Sequence, residues 1–156
     1  MAEEITLRTL ADRDEIRELL HRCSELVDLG DFAGVAALFA HATLTAAGTD
    51  VRVSGAAEIE AIQRETMRDY GGALRTKHLA TNTIVELGED GASATARSCF
   101  VVLQAVPGEL PLAPIMAGRY HDAFERADGR WRFASRHTLP DLVGDVSHHL
   151  RIHVEG

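Results

Sequence analysis

The sequence is poor in cysteine, in basic charge and in long apolar runs, and each shortage excludes something. Its two cysteines, Cys23 and Cys99, cannot build a disulfide framework and lack metal-ligand spacing. Both fall at apolar-patterned positions, where a buried, inert thiol is the default. Sixteen Lys and Arg stand against 24 Asp and Glu, a net charge of −8 with the eight histidines neutral. That field repels phosphate backbones and argues against nucleic acid as a partner. No apolar stretch approaches the roughly 20 residues of a membrane span. The acidic opening, residues 1–14, lacks the basic and apolar blocks of an export signal, so a cytoplasmic, non-membrane protein is expected. There is no internal repeat, low-complexity tract or linker. Nor is there a phosphate-cradling glycine loop, nucleophile elbow or Cys–His protease signature.

What is present is 156 residues that are 46% apolar, enough for one compact domain (1–156) with a real core. The chain opens on a helix. Asp12 and Glu15 are spaced as a capping box, and Ile16, Leu19, Leu20, Cys23, Leu26 and Val27 recur as one apolar stripe. Gly30 supplies a left-handed exit. Asp31 then caps a short second helix. Two short strands are expected around Gly48 within residues 42–53, and Ser54 is placed to cap a third helix. After Gly71-Gly72 the pattern becomes four long β segments: Ala73–Leu87, Ala92–Val106, Ile115–Arg126 and Arg130–Thr138. In the last, Trp131, Phe133, Ser135 and His137 alternate against Arg130, Arg132 and Arg136. Helices first and antiparallel strands afterwards predict an α+β fold, with helices packed on one face of a curved sheet.

Few residues stand out chemically. Asp28 lies at the edge of the apolar stripe in the last turn of the first helix, where the helix dipole disfavours a carboxylate by about 0.3–1 kcal/mol. Dipole and partial burial are expected to raise its pKa, as suits a general base or a proton-sharing partner. The alternative is an exposed Asp easing the turn into the next helix. In the first long strand, alternation puts Thr76, His78, Ala80 and Asn82 on the face that also carries Leu74 and Ile84. His78 among small and polar neighbours suits a pocket wall, and histidine is the natural proton carrier near neutral pH. A satisfied structural histidine is the alternative. His137 could reach the same concavity or lie open to water. Tyr120 offers a hydroxyl, although a bulge could turn the Arg119/His121 face inward instead. The cluster His148, His149 and His153 has no accompanying carboxylates or thiolates in a ligand pattern, so no metal is assigned, and a solvated tail or edge segment is expected there.

Three stretches carry a resemblance. They are Asp14–Leu20 continuing through Leu26-Val-Asp-Leu-Gly-Asp-Phe32 to Phe39, then Lys77-His-Leu-Ala-Thr-Asn82, and Gly118–Arg126 followed by Asp128–Phe133. In order and spacing the sequence resembles the SnoaL-like branch of the nuclear transport factor 2-like superfamily. The likeness covers about residues 10–138 and leaves 139–156 as a C-terminal extension. It implies a cone-shaped, curved mixed or antiparallel sheet, with N-terminal helices closing an apolar pocket. It also implies a homodimer and a small hydrophobic ligand. Among its enzymes, scytalone dehydratase and hexachlorocyclohexane dehydrochlorinase use an Asp–His dyad, and Asp28 and His78 fall on those two positions. The resemblance therefore implies a cofactor-independent lyase or isomerase for a small apolar cyclic or polyketide-like substrate.

Strand and helix phase assigns the pocket walls to Val27, Leu74, Cys99, Val101, Ile115, Met116 and Phe133. Scytalone dehydratase has a second histidine on the next long strand, where Phe100–Leu103 offer none. Cys23 stands where related enzymes carry a Tyr or Lys. The donor to a leaving group is accordingly sought among Asn82, Ser135, Tyr120 and His137, with Cys23 a weak donor. Two other readings share the fold: a non-catalytic small-ligand-binding or interaction domain, and the small subunit of a ring-hydroxylating oxygenase.

Overall fold

The computed structural model describes residues 5–154. Helix α1, Leu7–Asp28, buries Ile16, Leu20, Cys23 and Val27, one residue per turn on one face. Each such side chain removed from water contributes about 1.5–3 kcal/mol, which fixes the face the helix presents. The helix begins earlier than the Asp12–Glu15 pair suggests. Thr6 caps it by accepting from the Thr9 N–H at 3.1 Å, and the Thr9 hydroxyl oxygen accepts from the Thr6 N–H at 2.9 Å. Asp12 and Glu15 instead tie the helix to the sheet. Asp12 pairs with Arg126 at 2.5 Å, and Glu15 accepts from Arg130 and from the Trp131 N–H, both at 3.1 Å. At the other end Gly30, with φ of 69°, turns the chain out of the helix.

Asp31 caps α2 (Phe32–Leu38) as expected, accepting from the Gly34 N–H at 2.9 Å. Strands β1 (Thr43–Ala46) and β2 (Arg52–Ser54) form a hairpin before α3 (Ala56–Thr66). Ser54 does not cap α3. Its hydroxyl bonds that of Thr43 across the hairpin at 2.8 Å, and Gly55 occupies the cap position without a side-chain bond. Four long strands follow: β3 (Thr76–Leu87), β4 (Ser93–Val106), β5 (Leu110–Ala127) and β6 (Arg130–Val143). The sheet order is β2-β1-β6-β5-β4-β3. Only the β1–β6 pairing is parallel. The result is a curved, mixed six-stranded sheet carrying the N-terminal helices, an α+β fold.

Bulges decide which side chains face the helices, because each extra residue flips the alternation beyond it. On β3, Asn82 and Thr83 lie between the Thr81–Cys99 and Ile84–Arg97 pairs, with Asn82 at a φ of 52°. On β6, Ala134 is extra between the Phe124–Phe133 and Ala123–Ser135 pairs. Upstream of Ala134, Trp131 and Phe133 are buried; downstream the buried residue is Arg136. Phe133 packs against Phe39 and Phe124, ring centroids 4.3 and 4.8 Å away, in the main core. A second cluster, Phe100, Val102, Ile115 and Val146, lies apart from it.

Gly118 is where β5 leaves room for that cluster. A Cβ there would collide with the Leu139 carbonyl oxygen and lie 2.8 Å from two ring carbons of Phe100, which stacks on Tyr120 at 4.5 Å. Gly118→Ala is therefore expected to cost about 1–3 kcal/mol through overpacking. Urea unfolding measures it, and a loss below a few tenths would mean that the two strands part freely.

Candidate functional site

Asp28 and His78 meet. The C-terminal turn of α1 delivers the carboxylate and the start of β3 delivers the imidazole, with Nδ1 to Oδ1 at 2.6 Å. The same carboxylate accepts from the Thr76 hydroxyl at 2.8 Å and from the His78 backbone N–H at 3.0 and 3.2 Å. Burial works to raise the Asp28 pKa. The hydrogen bond and charge of His78, the Thr76 hydroxyl and the backbone N–H outweigh it and hold the carboxyl below its ordinary range. The raised pKa expected from dipole and burial is thus reversed, because three donors replace the water that burial removes. With Asp28 ionised, Nδ1 of His78 must be the protonated nitrogen, so the ring's lone pair sits on Nε2.

His78 borders two spaces. On one side lies a partly open cavity of about 250 Å³ between helices and sheet, walled mainly by apolar side chains. On the other an open groove of about 600 Å³ runs between α1 and β3, lined by His21, Glu25, Asp28 and Lys77. Ser24 borders both. Of the expected residues, Cys23, Val27, Met116 and Tyr120 line the cavity with His78. Tyr120 is thereby settled as inward-facing.

Eight expected positions do not line it. Leu74 is fully buried in the main core just before β3, packed away from the cavity. Asn82 falls at the β3 bulge and is exposed, and beyond it Val85 is buried while Ile84 is exposed. On β4 the inward residues are Phe100 and Val102, whereas Cys99 and Val101 take the other face and stay partly exposed. Residues 99–103 are apolar on both faces, so alternation could not choose between them. Ile115 is the extra residue of a β5 bulge and joins the second cluster. Phe133 fills the aromatic core. The Ala134 bulge takes Ser135 and His137 out of the cavity wall, and His137 Nδ1 bonds the Thr45 hydroxyl at 2.8 Å.

Two ionisable residues on the cavity were missed, Arg136 and His149. Arg136, on the face assigned outward, turns in after Ala134 and donates to Asp122 at 2.7 and 3.1 Å, with Nη1 3.4 Å from the Cys23 sulfur. Its guanidinium carbon lies 4.0 Å from the Tyr120 ring centroid. Burial would lower the Arg136 pKa, but the Asp122 charge reverses that and raises it; burial also pushes the Tyr120 hydroxyl up. The second, His149, comes from the supposed tail. It is 3% exposed, lines the cavity and sits 5.3 Å from His78 between ring centroids. The middle of the segment 144–154 is not solvated, since Val146 and His149 are buried and Leu150 walls the cavity, while Arg151, Ile152 and His153 are exposed as expected. The signal was faint: Val146 and Leu150, four residues apart, flank the histidines. Among the described residues, no group of three or more His, Cys, Asp or Glu is placed to hold a metal ion. Likewise no helix among them is long and apolar enough to cross a membrane.

The cone of curved sheet and capping helices is shared with solved structures of the nuclear transport factor 2-like, cystatin-like class. The SnoaL-like domain profile matches residues 8–137, and the chain belongs to that family. A nuclear transport factor 2-like protein from Novosphingobium aromaticivorans is 27% identical, with a TM-score of 0.71 over 86% of this chain and 84% of its own. A candidate scytalone dehydratase from the same organism is 20% identical, with a TM-score of 0.73 over 94% and 91%. LinA is 19% identical, with a TM-score of 0.71 over 96% and 97%. Among curated proteins there is no match.

Proposed function

We propose that this protein is a cofactor-independent lyase or isomerase that moves a proton on a small, largely apolar cyclic substrate. The observation that carries the reading is the 2.6 Å bond from Asp28 to His78, whose ring lines the cavity. His78 Nε2 removes a proton from carbon or from a hydroxyl. Asp28 fixes the tautomer and stabilises the imidazolium that forms, as a carboxylate does behind the base of a hydrolytic triad. A cavity of about 250 Å³ lies below the roughly 300–1,000 Å³ of drug-sized sites. The substrate is accordingly one ring or two fused rings, rather than a tetracycle. A dehydratase-like elimination and a double-bond shift both begin with this proton transfer, and the fold neighbours include a candidate scytalone dehydratase.

The test is deuterium uptake from D₂O at the α-carbons of cyclohexanone, 1-indanone and 2-tetralone, followed by proton NMR. Exchange above background is expected for at least one ketone, with His78→Ala lowering it by about 10²–10⁴. An unchanged rate in His78→Ala would remove His78 as the base.

A further inference from the structure

We propose that His149 is a second catalytic residue, a neutral hydrogen-bond donor to the oxygen of a bound monocyclic or bicyclic ketone whose α-carbon faces His78. The inference rests on the proton-transfer reading above and adds to it the group that receives the developing negative charge.

Four observations converge on this ring. The segment that carries it is pinned on both sides. The His148 carbonyl accepts from the Tyr70 hydroxyl at 2.6 Å and from Gln104 Nε2 at 3.0 Å. The His149 carbonyl accepts from the Arg68 N–H at 2.8 Å, and the Arg151 N–H donates to the Thr66 carbonyl at 2.8 Å. Leu150 further bridges to Met67. His149 is therefore held as firmly as a residue of the sheet.

Secondly, its Nδ1 is enclosed and has no hydrogen-bond partner among the described residues. A buried polar atom left unpaired is costly, and an orphaned N–H is rarer than an orphaned acceptor. The less costly neutral tautomer leaves a bare lone pair on Nδ1 and puts the hydrogen on Nε2. Thirdly, the ring lines the cavity, so that N–H is the one polar group it can offer to a ligand.

Fourthly, the His78 and His149 centroids are 5.3 Å apart with the planes tilted by 59°. Two imidazoles side by side at that spacing can converge on atoms three bonds apart. An α-hydrogen and the carbonyl oxygen of the same ketone stand in that relation. As His78 takes the proton, charge moves from the breaking C–H bond through the new C=C bond to the oxygen, where the His149 N–H meets it. The proton count balances without a second transfer: the products are an enolate, hydrogen-bonded to neutral His149, and a protonated His78. Burial, followed by the charge of His78 and against that of Asp28, lowers the His149 pKa to about 3. The ring stays neutral at working pH and acts as a donor, as a neutral histidine can towards a carbonyl.

The probe is carbonyl-¹³C 2-tetralone, with ¹³C cyclohexanone and 1-indanone beside it, and the readout is the infrared carbonyl stretch of the bound ketone. In the wild-type protein the stretch is expected at lower frequency than in His149→Phe. His78→Ala should keep the wild-type position, because it removes the base and not the donor. The exchange rate in His149→Phe is expected to fall by about 10²–10³, the usual cost of one oxyanion donor. His149→Asn, which retains an N–H donor, should recover part of both signals, and circular dichroism on each variant checks that it is folded. An identical carbonyl stretch in wild type and a folded His149 variant overturns the proposal, as does binding of none of the three ketones. A stretch that shifts with His149 while the wild-type protein exchanges no deuterium sinks the His78 reading and leaves His149 as the ligand's donor.

Discussion

Asp122→Ala is expected to lower the unfolding free energy by about 3–5 kcal/mol, the cost of stripping a buried ion of its partner. The Asp122 side chain is 0% exposed and that of Arg136 is 9% exposed. The carboxylate accepts two guanidinium hydrogen bonds, while Tyr120 lies against one face of the same cation. Without Asp122, Arg136 keeps its charge and loses both acceptors, leaving only the weak sulfur of Cys23 within reach. For a chain of this length the loss corresponds to a fall in Tm on the order of 10 °C. Adding Arg136→Met to Asp122→Ala should restore much of the stability, since an apolar pair of similar volume replaces a buried ion pair at little cost. Urea unfolding of the two variants provides the comparison. A single-variant loss below about 1 kcal/mol would place water, rather than Asp122, as the main solvent of the guanidinium.

The second large effect is acid sensitivity that begins near neutrality. The pKa of His149 is 6.5 when unfolded and lowered to about 3 when folded, so between those values only the unfolded chain takes up the proton. Stability is therefore complete above pH 6.5 and lost as pH falls, at up to about 1.4 kcal/mol per pH unit. Asp12 and Asp28, also lowered on folding, begin their loss only as pH falls through the carboxylate range starting at 3.8. Between pH 6.5 and 5 His149 therefore adds a slope that replacing its ring takes away. His149→Phe should flatten it, changing the stability difference from wild type by about 2 kcal/mol over that interval. Parallel stability profiles of the two proteins in urea at pH 7, 6 and 5 would show that the ring is hydrated in solution.

The sequence was most legible where one periodicity ran unbroken. The stripe Ile16, Leu20, Cys23, Val27 identified α1 and the face it buries, and Asp28 followed from its place beside that stripe. His78 was readable because it lies two residues into β3, before the Asn82 bulge changes the phase. The inner wall was legible only as far as the nearest bulge. Ala134 is an ordinary residue in an alternating run, and nothing in the local pattern marks it as extra; register comes from the neighbouring strand. That one residue concealed Arg136 and misplaced Ser135 and His137. His149 was hidden for another reason. Its burial depends on Tyr70, Gln104 and Arg68, which are distant in sequence and meet it only in the folded chain.

The position of His78 between cavity and groove also governs the fate of isotopes. A base sealed inside its site tends to hand the same hydrogen back, so label is conserved from substrate to product. Here the groove that borders the histidine lies on its Asp28 side, behind Nδ1, while the hydrogen taken from a substrate would sit on Nε2. Exchange at Nδ1 from the groove leaves the abstracted hydrogen on Nε2, so label is expected to reach the product unless water enters the cavity itself.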